Sequence, residues 1–316
     1  MITLPEAIKD HALITSVSGG KDSTAVVLVL KELGLKTRYV FADTGWEAQE
    51  TYDYLDLMRE RLEIKIDVVE AADKWKQWAE DMCVMLDLDV AWAKSAMFRT
   101  VLYRGGFPSR QQRWCTRELK IHPIRDYHGK VHDKLKKPTA VVVGVRSDES
   151  AARSELPELS EEADGPRTWG WPVWRPLINW SVEDVLRKHQ DHDMPVNPLY
   201  RKGFGRVGCF PCIYSNKAET RRLAEIFPER IEEIARIEEA ITRVRENRNL
   251  ARPERYTYPK ATFFQGGRPP VPTCPSIHTI VAWAKTSRGG RQLPLIPEEP
   301  RGGCYRWGLC EPEAPE

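Results

Sequence analysis

The run Ser18-Gly19-Gly20-Lys21-Asp22-Ser23 combines residue types suited to holding phosphate. Two adjacent glycines let backbone N–H groups approach an anion closely. Lys21 adds a mobile positive charge, and Ser18 and Ser23 add hydroxyl donors. The apolar segments Ala12 to Ile14 before it and Ala25 to Leu30 after it predict a strand, a glycine turn and a helix N-terminus. Such a terminus carries unpaired amides and a positive dipole end, so it favours bound anions. The loop is shorter than the Walker pattern G-x-x-x-x-G-K-[ST]. Asp22 could help to hold Mg²⁺ or could cap the helix.

Other residues could act with the loop. Asp43 follows a predicted strand, where open α/β sheets bind ligands, though an Asp two before Gly45 also suits a turn. Arg146 and Arg153 could clamp phosphate oxygens with two parallel hydrogen bonds. Equally, they could pair with Asp148, Glu149 or Glu155. Cys115 and the pair Cys209-x-x-Cys212 suggest a thiolate site, and on chemistry alone zinc and iron–sulfur are equally suited. Cys83 lies in an apolar stretch that reads as packing, and Cys274 between prolines has no assigned role. The total of seven cysteines is odd, which argues against a disulfide framework.

These groups need a scaffold. Strands are predicted over Leu13 to Val17, Thr37 to Ala42, Lys65 to Val69 and Thr139 to Val145. Helices are predicted over Ser23 to Leu33 and Glu47 to Leu62, and after Trp180 from the capping-box-like Ser181-x-x-Asp184. Alternating strands and helices predict an α/β fold, a doubly wound parallel sheet covered on both faces. A glycine-rich loop (Lys202 to Pro211), a long charged helix (about Lys217 to Asn247) and an aperiodic tail from Arg252 follow. We therefore expect a nucleotide-binding α/β domain over 1–200 and a cysteine-containing, helical and irregular region over 201–316. The eleven tryptophans read mainly as packing.

In 316 residues, Lys and Arg total 48 against 46 for Asp and Glu, a net charge of +2. That balance gives no case for a surface coated in positive charge. Local clusters at Arg221-Arg222 and from Arg243 to Arg252 fit either nucleic acid or a solvated helix face. No apolar run approaches the ~20 residues of a membrane span. The N-terminus lacks the basic-then-apolar order of a signal peptide, so a soluble cytoplasmic protein is expected.

Ser18 to Ser23 resembles the pyrophosphate loop of N-type ATP pyrophosphatases, the adenine-nucleotide alpha-hydrolase-like enzymes. Phe41 to Leu55, Val143 to Arg153, Trp174 to Val185 and Asn197 to Cys212 resemble, in order, segments of the phosphoadenosine-phosphosulfate (PAPS) reductase-like family. The resemblance covers roughly Ile14 to Phe227. It implies ATP cleaved between its α and β phosphates, with Ser16, Ser18, Gly19, Gly20, Lys21, Asp22, Ser23, Asp43, Gly144, Arg146 and Arg153 around the nucleotide. Lys21, Asp22 and Asp43 would carry the chemistry, with Mg²⁺. The resemblance also favours a [4Fe–4S] cluster over zinc, on Cys115, Cys209, Cys212 and one tail cysteine, Cys310 rather than Cys304. The tail GLCE around Cys310 resembles phage-type relatives.

Two departures separate the chain from a sulfonucleotide reductase. Its phosphate loop is intact, and its tail reads GLCEPEAPE in place of a Glu-Cys-Gly-[Leu/Ile]-His motif. The expected function is therefore adenylation of a substrate with pyrophosphate release, leading to sulfur transfer. The alternatives are a reductase forming sulfite from PAPS or adenosine phosphosulfate, and a non-catalytic nucleotide-binding iron–sulfur module. Expected partners are an adenine nucleotide, an acceptor that could be nucleic acid, a sulfur donor protein and a second copy of the chain.

Overall fold

The computed structural model describes residues 2–160, 170–253, 258–264 and 275–287. Their strands form one sheet in the order β3-β2-β1-β4-β6-β5. These are β1 (Ala12–Ser16), β2 (Thr37–Asp43), β3 (Ile66–Glu70), β4 (Thr139–Val142), β5 (Leu159–Ser160) and β6 (Val173–Trp174). Every pair is parallel except the edge pair β5–β6. The helices are α1 (Lys21–Glu32), α2 (Gln49–Leu62), α3 (Lys76–Leu86), α4 (Ala96–Arg104), α5 (Trp114–Thr116), α6 (His122–Leu135), α7 (Ala151–Ser154), α8 (Val182–Asp191), α9 (Pro198–Arg201), α10 (Lys217–Ile226), α11 (Pro228–Asn249) and α12 (Ile277–Ala284).

Successive strand residues point to opposite faces, and β1 shows what each face meets. Leu13 joins a core with Val26 and Leu30 of α1 and Val185 of α8. Ile14, the next residue, joins Val40 and Val131 of α6. Both faces are thus covered, as the near-continuous apolar reading of β1 and β4 requires. The protein has the doubly wound α/β architecture. A separate core gathers Trp46, Phe98 and Leu102 with Ile234 and Ile237 of α11, Phe263 and Ile277. Its members come from both sides of residue 200.

Several elements differ from expectation. Helix α1 begins at Lys21, two residues early, because Gly20 is extended and serves as its N-cap. Strand β4 stops at Val142, before the Gly144 turn. The single long helix expected over Lys217 to Asn247 is two helices, broken at Phe227. Pro228 supplies the reason, since it lacks an N–H and disfavours helical geometry in the residue before it. The tail from Arg252, read as aperiodic, contains α12, started by Ser276 accepting from Thr279 N.

Candidate active site at the sheet switch point

Strand β1 has β2 on one side and β4 on the other, so the strand order reverses there. Open α/β sheets bind ligands at this crevice, beyond the carboxyl ends of the strands. Residues Ser18 to Ser23 follow β1 there, and Gly144 and Arg146 follow β4.

The loop is fastened from outside. Gly19 has φ +70°, and a Cβ there would lie 3.0 Å from Thr51 Cγ2 of α2. A residue with a side chain would be both strained and crowded. Asn197, fully buried, donates its amide to the Gly19 carbonyl at 3.2 Å. The Lys21 amide donates to the Tyr200 hydroxyl at 3.2 Å, and His189 Nε2 lies 2.9 Å from the Lys21 carbonyl. Within the loop, Ser23 donates to the Gly20 carbonyl at 2.9 Å and accepts from Ser18 N at 3.2 Å. Ser16, the last residue of β1, keeps its register opposite Val40. The N-cap, Gly20, has no side chain with which to cap α1. Its N-terminal turn is therefore shaped by contacts from α2, α8 and α9.

A chain of charges crosses the crevice. Lys21, only 6% exposed, places Nζ 2.8 Å from Asp22 Oδ2. Arg146, 4% exposed, places Nε 2.6 Å from Asp22 Oδ1 and a terminal nitrogen 2.6 Å from Asp148. Burial opposes the Asp22 charge, but Lys21 and Arg146 outweigh it and hold the carboxyl below its usual range. Asp22 therefore does not cap the helix, and a cation occupies each of its oxygens. Gly144 makes this approach possible, because a Cβ there would lie 2.7 Å from the Asp22 carbonyl oxygen. Arg153 pairs with Glu149, whose carboxylate also accepts from Arg146 N.

Asp43 ends β2 and forms the turn suggested by Gly45, accepting from Gly45 N and from the Tyr52 hydroxyl, both at 2.8 Å. Burial, more than any neighbour, raises its pKa. It lines an open cleft of about 340 Å³ with Trp46, Glu70, Trp92, Ser95 and Glu233. Beside it, Glu47 Oε2 accepts from Thr44 N, Thr44 Oγ1 and Trp46 N at 2.7–3.1 Å.

Cys115 lies in α5, and Cys209 and Cys212 precede α10. Burial raises the Cys115 thiol, and the nearby Cys212 adds to it. Burial pushes Cys209 up to about 11, against the pull of Lys120. Lys120 reaches both Cys209 and Glu47 (3.3 Å to Oε1), and its charge is favoured by them despite burial. Among the described residues, however, no three His, Cys, Asp or Glu side chains are arranged to hold a metal ion. The expected ligand set also includes a tail cysteine, Cys310, that lies outside the described residues, as do Cys274 and Cys304. Cys83 is fully buried in the core, as a packing residue should be.

The basic clusters on the later helices are largely occupied by the protein itself. Arg221 donates to the Ala284 carbonyl, Arg245 to Gly105 and Arg248 to Tyr103. Arg222 pairs with Glu225 and Arg243 with Glu239.

Asn197, Tyr200, His189, Thr51, Glu47 and Lys120 carried no assigned role in the sequence. Asn197 and Tyr200 had a visible signal, because they lie in a segment resembling the family, but their contacts to residues nearly 180 positions earlier did not.

An open α/β sheet with a glycine-containing loop and a helix N-terminus at its switch point is the kind of crevice in which such folds bind anionic ligands. Residues 12–215 match the phosphoadenosine phosphosulfate reductase domain, and the chain belongs to that family. It is 35% identical to an uncharacterized 37.8 kDa protein of Escherichia phage 186, over 90% of this chain and 91% of that protein. It is 26% identical to the adenosine 5'-phosphosulfate reductase of Salinibacter ruber, over 61% of this chain and 64% of that enzyme. Among solved structures, the PAPS reductase of Candida auris covers 66% of this chain and 85% of its own, with a TM-score of 0.46 and 15% identity. No described helix is long and apolar enough to cross a membrane.

Proposed function

We propose that the protein is a nucleotide-dependent enzyme that cleaves ATP between its α and β phosphates to adenylate an acceptor. What carries this reading is the complete Ser18–Ser23 loop, fastened at the switch point beside a buried Lys21–Asp22–Arg146 chain. A sulfonucleotide has no β,γ-pyrophosphate and would offer the loop only its phosphosulfate, whereas ATP offers two successive phosphates. ATP would place its β and γ phosphates against the loop amides and Lys21, with Arg146 near the α phosphate. An acceptor oxygen attacks the α phosphorus, the bond to the β-bridging oxygen breaks, and pyrophosphate leaves on the loop. Asp43, with its raised pKa, takes the proton that the acceptor loses. Positioning and charge neutralisation supply most of the acceleration.

Mg²⁺ would accompany the phosphates and neutralise their charge, but Asp22, held on both oxygens by cations, does not fit as its ligand while so paired. The adenylation step as written is not routed through a cluster. Sulfur transfer to the adenylated acceptor would follow as a separate step from a donor protein.

The second reading is reduction of adenosine phosphosulfate or PAPS to sulfite, favoured by the family itself. Pyrophosphate release from ATP in the presence of candidate acceptors, measured beside sulfite release from both sulfonucleotides, separates the two. Acceptor-dependent pyrophosphate release, abolished in Lys21→Ala, is the expected result. Sulfite release without pyrophosphate would establish the reductase instead.

A further inference from the structure

Three arginines from two distant segments surround one phenol ring. The guanidinium carbons of Arg110, Arg113 and Arg206 lie 5.5, 5.2 and 5.6 Å from the Tyr214 ring centroid. All three are exposed, while Tyr214 is half-buried and anchored by its hydroxyl, which donates to the Arg110 carbonyl at 3.3 Å. Among the described residues none of the three pairs with a carboxylate, and Arg113 has only a 3.4 Å bond to the Thr116 hydroxyl. This sets them apart from the arginines of α10 and α11, which are held by backbone carbonyls and glutamates.

The group also continues toward the phosphate loop. Burial lowers the pKa of Arg153, and the positive charges of Arg206, Arg113 and Arg146 lower it further, against Asp22. The same field thus runs from the exposed triad to the crevice. Three guanidiniums around one ring are like charges in one place, and the ring face returns only about 0.5–1 kcal/mol for each. In a chain of net charge +2 this concentration is local and calls for an anion with more than one charge. Guanidinium forks match phosphate oxygens in pairs, and phosphates repeated along a strand could engage several forks at once.

The geometry points to Arg110, Arg113 and Arg206, organised by Tyr214, as the docking surface for the sugar-phosphate backbone of a single-stranded nucleic acid. As the route by which an acceptor strand reaches the crevice, this rests on the adenylation reading above. Binding itself does not, so the two fail separately.

The test is anisotropy of labelled single-stranded DNA and RNA of about 12 nucleotides, within the span such sites occupy, over a salt series, for wild type and Arg110→Gln/Arg113→Gln/Arg206→Gln. Each single variant and pyrophosphate titration by calorimetry run alongside. Expected are salt-dependent binding by the wild type, at least about tenfold weaker binding by the triple variant, and a log–log salt slope shallower by about 2. Pyrophosphate affinity should stay unchanged. The exposed single variants keep the test informative if the triple variant melts early. The proposal is overturned if wild type binds neither strand, if the substitutions leave binding intact, or if a polyglutamate peptide competes as well as the oligonucleotide. Loss of pyrophosphate binding in step with the oligonucleotide would also overturn it, because the triad would then be a subsite for small phosphates. Pyrophosphate release from ATP, assayed separately, reports on the adenylation reading alone.

Discussion

Gly144→Ala tests whether the close approach of the β4 turn to α1 shapes the phosphate loop. The added Cβ would lie 2.7 Å from Asp22 O, 2.8 Å from Asp22 C and 2.9 Å from Ser23 N. All three are backbone atoms, so no side chain can swing aside. Ordinary contact begins near 3.4 Å, so the turn and the first turn of α1 must part by roughly 0.7 Å. Overpacking of this kind costs about 1–3 kcal/mol. The displaced atoms belong to Asp22 and Ser23, whose amides and side chains form the loop. A shift approaching an ångström at a positioning group can lower activity by about 10²-fold. We expect a urea midpoint reduced by an amount equivalent to about 1–3 kcal/mol, and pyrophosphate affinity lowered about 10–100-fold by calorimetry. Unchanged pyrophosphate affinity together with a stability loss below about 0.5 kcal/mol would refute the reasoning, because relief would then have been found elsewhere.

Lys21→Ala should weaken pyrophosphate by about 1–3 kcal/mol with a native circular dichroism spectrum, and equal affinities in calorimetry would remove Lys21 from the phosphate site. Gly129→Ala, in the middle of α6 with nothing within 4 Å of the new Cβ, should stabilise the protein by about 0.5–1 kcal/mol and leave nucleotide binding alone. A lower melting temperature would contradict it. Burial lowers the pKa of His128 to about 4, and neither ring nitrogen has a hydrogen-bond partner among the described residues. The folded state therefore keeps it neutral while the unfolded chain protonates near 6.5, so stability falls as pH drops from 6.5 to 4, by up to about 3 kcal/mol. His128→Phe should flatten that part of the urea-midpoint profile, and an identical profile would rule His128 out.

The strand–loop–helix at Ala12 to Leu30 was legible because its information is local: an apolar run, a glycine pair and a second apolar run. What fixes the loop was not, because Asn197 and Tyr200 meet it across nearly the whole α/β fold. Short strands were similarly silent. Strands β5 and β6 have two residues each, too few to show alternation, and their pairing depends on the sheet already formed. The break at Phe227-Pro228 and the apolar periodicity of α12 were present in the sequence but masked by charged and proline-rich surroundings. The cysteine spacing suggested a metal site but gave no sign that folding brings Lys120 and Glu47 beside Cys209. That arrangement depends on the Glu47 turn and the α5–α6 segment, neither of which announces itself in the spacing.

The charges at the crevice explain how two cations, Lys21 and Arg146, can both be buried there. Lys21 and Arg146 are nearly inaccessible, yet neither is an isolated buried cation, because Asp22 lies between them and Asp148 takes the far side of Arg146. Removing either cation would leave a buried carboxylate short of a partner, a loss that costs more than a surface pair returns. Asp22 thus performs a structural task, holding two cations in register. Incoming phosphate oxygens would compete for those same cations, and each hydrogen bond made to phosphate would loosen one to Asp22. The net affinity would therefore be the difference between two sets of charge-assisted bonds, while Thr51, His189, Asn197 and Tyr200 keep the loop backbone in place during the exchange. On this argument the loop can discriminate between ligands by charge: one phosphate repays little of the broken Asp22 pairing, whereas pyrophosphate engages Lys21, Arg146 and the loop amides together.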